Sequence, residues 1–170
     1  MIEKAANERS RRYFWILSTL LFLFFLRVVG QFLVALFRVS FLPPMEQWFS
    51  GLLPYPELLA SQILIICLFL KICFDFARGT GYFVIPRYRL GMNLMRFGWV
   101  YLAAMILRYI IRMWLRPDQR WTGGCIPIFF HWVLAAFILT LGHYHRNEAV
   151  KSHELGDETV ISCKTVSPRS

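Results

Sequence analysis

Carboxylates are scarce in this chain. Ten Asp and Glu stand against nineteen Lys and Arg, and charged residues of both signs make up only 17% of its 170 residues. A soluble domain of this length usually carries about 25%. Only Glu57 and Asp75 fall within the apolar stretches. Cysteine is sparse as well. Cys67, Cys73, Cys125 and Cys163 form no CxxC pair and no Cys/His spacing of the zinc type, which argues against a thioredoxin-like dithiol, a zinc site and a disulfide framework. The chain has no P-loop, nucleophile elbow, metal-binding helix or paired-carboxylate motif. "RGTGYF" at 78–83 is too short for a dinucleotide fingerprint and follows an apolar run, so it reads as a turn. No metal site is expected, and no cofactor follows from the residues themselves.

What the chain has instead is apolar length. Hydrophobic residues reach 57% and aromatics 17%, with Trp and Tyr gathered near the ends of the apolar runs, the belt expected at a membrane–water interface. Crossing a hydrocarbon core of about 30 Å takes roughly 20 apolar residues. Four runs meet that length, at about 13–38, 57–77, 97–115 and 126–143. The expected fold is therefore all-α: a polytopic membrane protein built as a four-transmembrane-helix bundle over 13–145. Residues 1–12 form a basic leading segment, and 146–170 a polar tail too poor in apolar residues to order itself. Between the first two runs, "FLPPMEQWFSGLLPYP" has proline breaks yet is too apolar for an ordinary loop, so 43–55 reads as an interfacial or re-entrant outer segment.

The net charge of +9 does not point to nucleic acid, because the basic residues flank or enter apolar runs. The first twelve residues, the 78–96 connection and the start of the tail hold about ten of them, which places both termini in the cytoplasm. An inner-membrane location in a bacterium is expected. "SRRYFW" at Ser10–Trp15 has the look of a twin-arginine export signal, but no A-x-A cleavage site follows and three further spans do, so it reads as the flank of a retained span.

The polar residues inside the runs carry the functional signal. Counting inward at 1.5 Å per residue from the outer edge places Gln31 about 12 Å deep, Arg27 about 18 Å, Arg112 about 6 Å, Arg108 about 12 Å, His131 about 7 Å and Gln62 about 7–9 Å, with Glu57 at the rim. All four spans thus bring polar groups to the outer half of the bilayer. Arg27 and Gln31 are at i, i+4; Arg108 and Arg112 share a stripe that Tyr101 and Met105 extend. A charge at mid-bilayer normally faces the bundle interior or a wet cavity. The expected site therefore joins Arg27, Gln31, Gln62, Arg108, Arg112 and His131. It would take a lipid, a quinone or another anionic amphipathic ligand, since arginine's planar fork matches carboxylate and phosphate. A structural network in which Glu46 and Glu57 pin the outer loop is the plain alternative. Nearer the other surface, Lys71 and Asp75 at i, i+4 form a pair, with Arg78 close by.

A membrane-embedded enzyme or carrier is the second functional reading, with His131 as catalytic base and Glu57 as its orienter. Haem within one chain is disfavoured, because bis-histidine ligation needs facing helices and only the fourth span carries histidines; a haem or quinone shared with a partner stays open. The leading reading is an accessory or assembly subunit of a membrane complex, surrounded by membrane lipid and working as a homo-oligomer or within a larger assembly.

"LRVVGQFLVALF", a proline-containing loop of about twenty residues and then "YPELLASQILIICLFL" resemble the first half of DoxX-like membrane proteins, over residues 20–70. That resemblance implies four spans in a compact bundle and a small accessory protein linked to quinone or thiol redox chemistry. The arginine-rich third span and the "GHYH" ending depart from that pattern, and no catalytic residue carries over.

Overall fold

A computed structural model describes the backbone of residues 2–37, 55–115 and 125–166, and side chains over 8–36, 56–115 and 128–152. All the regular structure described is helical: α1 (Ile2–Phe37), α2 (Tyr55–Arg78), α3 (Tyr88–Leu115) and α4 (Cys125–Val166). Each helix holds a stretch long and apolar enough to cross a membrane, namely Glu8–Leu36, Pro56–Arg78, Tyr88–Leu115 and Ile128–Ser152. A helix satisfies its own backbone groups, which hydrocarbon cannot do, so apolar runs of this length fold as helices. The chain is an integral membrane protein with a four-helix architecture. The segment expected at 43–55 lies outside the described residues.

Two helices extend past the apolar runs that mark them. Helix α3 starts at Tyr88, two residues after Pro86, whereas its run reads from about 97. The Arg89 and Arg96 side chains interrupt the apolar pattern without interrupting the helix, because both are exposed. Helix α4 continues to Val166, where a tail without order was expected from Arg146. Its first polar turns are tied down: the Arg9 guanidinium reaches the Glu148 carboxylate at 3.2 Å, and Asn147 bonds to His143 one turn back at 2.8 Å.

Helix α4 is the common partner. It packs along α3 on one side and α1 on the other, while α2 lies against α1. The two sides of α4 use different means. Toward α1 and α2 the contact is made of large side chains: the Phe69 and Phe137 rings stack 3.6 Å apart and 5° from parallel, and Tyr13 and Phe76 both meet Tyr144 edge-on. Leu17, Leu21, Ile72 and Leu141 complete this buried cluster. Toward α3 the contact is made of missing side chains. A Cβ on Gly91 would lie 2.6 Å from the Arg146 backbone nitrogen and 2.9 Å from the Gly142 carbonyl oxygen, so the two backbones touch. Between membrane helices, where apolar burial gives no drive, small residues allowing such approach are a main source of association.

The α2–α3 connection is short and fixed. Gly79 at φ 66° and Gly81 at φ 130° turn the chain, and the Asp75 carboxylate occupies the space a Gly81 side chain would need. Asp75 also pairs with Lys71 at 3.2 Å, one turn apart, as the spacing predicts. The Tyr144 hydroxyl donates to the Val84 carbonyl at 2.8 Å, fastening the connection to α4. Trp114 (85% exposed) and Val100 (70%) show that the outer face of α3 is turned to lipid.

Candidate functional site

The i, i+4 spacing on α1 puts Arg27 and Gln31 on the side of the helix that faces its neighbours, and both are buried. Arg27 lies about 14 Å from Leu36, the end of the apolar stretch, well inside the hydrocarbon. From α2, Gln62 is buried beside them and its Nε2 donates to Gln31 Oε1 at 3.1 Å. This single bond leaves Gln31 Nε2 and Gln62 Oε1 enclosed without a protein partner among the described residues. One donor and one acceptor thus stand side by side in a medium where each is costly.

Helices α3 and α4 supply the other half. The Tyr101 hydroxyl is hydrogen-bonded to His131 Nδ1 at 2.6 Å, with the rings edge to face at 77° and Phe97 stacked on Tyr101. Arg27 bridges the two halves: its guanidinium carbon lies 5.5 Å from the centre of the Phe130 ring, next in sequence to His131. Arg27 and Arg108 are both within electrostatic reach of the Tyr101 hydroxyl and the His131 ring. The charges of both arginines thus act on the same Tyr101–His131 pair, and Arg108 is half-buried.

The charges in this cluster do not cancel. The ion pairs among the described residues are Arg9–Glu148, Lys71–Asp75 and Lys151–Glu148, and none involves Arg27 or Arg108. Arg27 Nε is enclosed with no hydrogen-bond partner, and the Phe130 face answers its charge only through a cation–π contact. At about 0.5–2 kcal/mol such a contact falls short of the desolvation cost of the charge.

Of the residues singled out by sequence, the fold brings Arg27, Gln31, Gln62, Arg108 and His131 into one neighbourhood. Arg112 is half-buried one turn further along α3. Glu57 is exposed in the first turn of α2, and the group that holds His131 is Tyr101, where Glu57 was expected as orienter. Glu46 lies outside the described residues. Tyr101 was visible as the lower end of the Arg108 stripe but carried no mark of its role. Phe130 had no signal at all, since one more aromatic in an aromatic run is unremarked. His143 and His145, two residues apart, point opposite ways: His143 is exposed and His145 is buried. All four histidines lie on α4, so no two face each other across helices within one chain.

A cavity of about 590 Å³ lies elsewhere, between the start of α1, the first half of α3 and the polar turns of α4. No family model, no curated protein and no solved structure matches the chain.

Proposed function

We propose that this protein is an accessory or assembly subunit of a membrane complex, and that its buried polar centre holds the headgroup of an amphipathic ligand, a lipid or a quinone. The observation that carries this reading is Arg27: a buried guanidinium, inside hydrocarbon, acting with Arg108 on the same His131 ring and with no carboxylate paired to either among the described residues. A mid-membrane charge costs about 2.5–3.5 kcal/mol on insertion scales. An anionic or carbonyl-bearing headgroup would offset that cost and would also find the spare amide donor and acceptor of Gln31 and Gln62. Both termini face the cytoplasm on the Lys/Arg distribution, which puts this centre in the outer leaflet of a bacterial inner membrane. The resemblance of residues 20–70 to DoxX-like proteins is in keeping with an accessory role near quinone chemistry.

The test is ligand content. Arg108→Leu protein, extracted gently and analysed by mass spectrometry, is expected to insert normally and to retain less lipid or quinone than the parent. Equal retention in the two would remove the reading.

One observation favours an enzyme or carrier instead. The short Tyr101–His131 contact commits Nδ1 and fixes the ring, so proton exchange with a bound molecule would pass through Nε2. In that case His131→Ala abolishes turnover or transport at unchanged yield, and a lowered yield alone returns His131 to a packing role.

A further inference from the structure

Helices α1 and α3 both lean on α4 but do not meet each other. The space between them is the 590 Å³ cavity, floored by α4 and open to the side. Its nearest α1 residue, Ile16, lies about 16 Å along the helix from Arg27, toward the other end of the bundle, and the cavity shares no residue with the buried centre.

Its lining changes character along its length. At the end nearer the chain termini stand Arg9, Arg12 and Lys151, with one carboxylate, Glu148, held by Arg9 at 3.2 Å and by Lys151 at 3.4 Å. Three cations against one carboxylate leave two positive charges uncompensated. About 6 Å deeper along α1, one helical turn, the walls become Ile16, Trp99 and Leu139. Arg12 is exposed and so is Trp99, at 58%, so both ends of this gradient are accessible from the membrane side.

A groove that is cationic at the interface and apolar one turn below matches a molecule with an anionic head and a hydrocarbon tail. We infer that this groove is a binding site for an acidic glycerophospholipid of the leaflet that borders both chain ends. The phosphate lies against Arg12 and Lys151, and an acyl chain runs down between Ile16 and Trp99 over Leu139. The volume suits a headgroup and the upper part of one chain, within the usual range of about 300–1,000 Å³ for ligand pockets. Basic recesses between membrane helices are where acidic headgroups collect, each Lys or Arg near the surface strengthening binding about fivefold. This site is separate from the one proposed at Arg27, and neither depends on the other.

The experiment uses the full chain, stripped of lipid and reconstituted into nanodiscs of phosphatidylcholine with rising phosphatidylglycerol of matched chains. Native mass spectrometry after release counts what stays bound. The parent protein is expected to retain phosphatidylglycerol at least fivefold over phosphatidylcholine, and Arg12→Gln and Lys151→Gln each to lower that preference about fivefold. Equal retention of the two lipids by the parent overturns the inference without recourse to any variant. An unchanged preference in the double variant overturns it too. So does release of phosphatidylglycerol by millimolar inorganic phosphate, which would assign the cations to a free anion.

Discussion

The bundle handles positive charge in two opposite ways. Near the chain ends Arg9 and Lys151 share Glu148, and Lys71 pairs with Asp75; the cations there are exposed or half-exposed, so water and salt screen them. Such pairs contribute about 0–1 kcal/mol each and are easily dispensed with. In the middle of the bundle Arg27 is 8% exposed, lies over an aromatic ring and has an enclosed Nε without a partner. The first region is arranged for compatibility with a membrane surface. The second runs against stability, and a residue kept at a cost points to what it holds rather than to what it supports.

Removing Arg27 breaks this comparison most directly. Arg27→Leu is expected to raise the thermal midpoint of ligand-free protein in detergent, by up to about 2.5–3.5 kcal/mol of stability, while ligand retention falls. A lowered midpoint would mean that the fold already supplies Arg27 with an anion, and the contrast would collapse. The next largest effect comes from displacing half of the centre without touching it. Gly91→Ala sets a Cβ against backbone atoms of Arg146 and Gly142, so α3, which carries Tyr101 and Arg108, must move off α4. The expected loss is about 1–3 kcal/mol in thermal unfolding. Gly98→Ala should cost less, since the Leu139 side chain it meets can swing aside.

Smaller again is the amide pair. Gln31→Leu is expected to cost about 0.6–1.7 kcal/mol, and adding Gln62→Leu to bring stability back toward the parent, because no amide is then left unpaired. A double-mutant cycle on unfolding measures the coupling, and additive losses would show that the two amides act separately. The smallest change is Glu148→Gln, below about 1 kcal/mol and absent in molar salt, where the screening length falls to about 3 Å. Persistence of the loss at high salt would make this end as tightly coupled as the centre.

Much of this could be read in the sequence. Four apolar runs of spanning length leave the backbone no alternative to helices, and depth counting along them brings Arg27, Gln31, Gln62, Arg108 and His131 to one region. Helix ends were less legible because polarity and helicity part company near a membrane surface. Arg89 and Arg96 end an apolar pattern while continuing α3, and the turns after Arg146 are held by contacts with α1 that no local pattern announces. The partner of His131 was misjudged for a related reason. A carboxylate is conspicuous in an apolar chain and a tyrosine among many aromatics is not, yet Tyr101 makes the bond. The spacing of Gly91 and Gly98, two turns apart on one face of α3, was an available sign of close backbone contact with α4.

Helix α4 touches every other helix, through backbone contact with α3, side-chain packing with α1 and the Phe69–Phe137 stack with α2. Of the four helices it is also the last to leave the ribosome. The three earlier segments must therefore wait in the bilayer without the surface they will share, with Arg27 still lacking the Phe130 ring and Tyr101 still lacking His131. A nascent chain stalled before Cys125 holds Arg27 and Arg108 without the Phe130 ring and the His131 side chain that α4 brings to the centre.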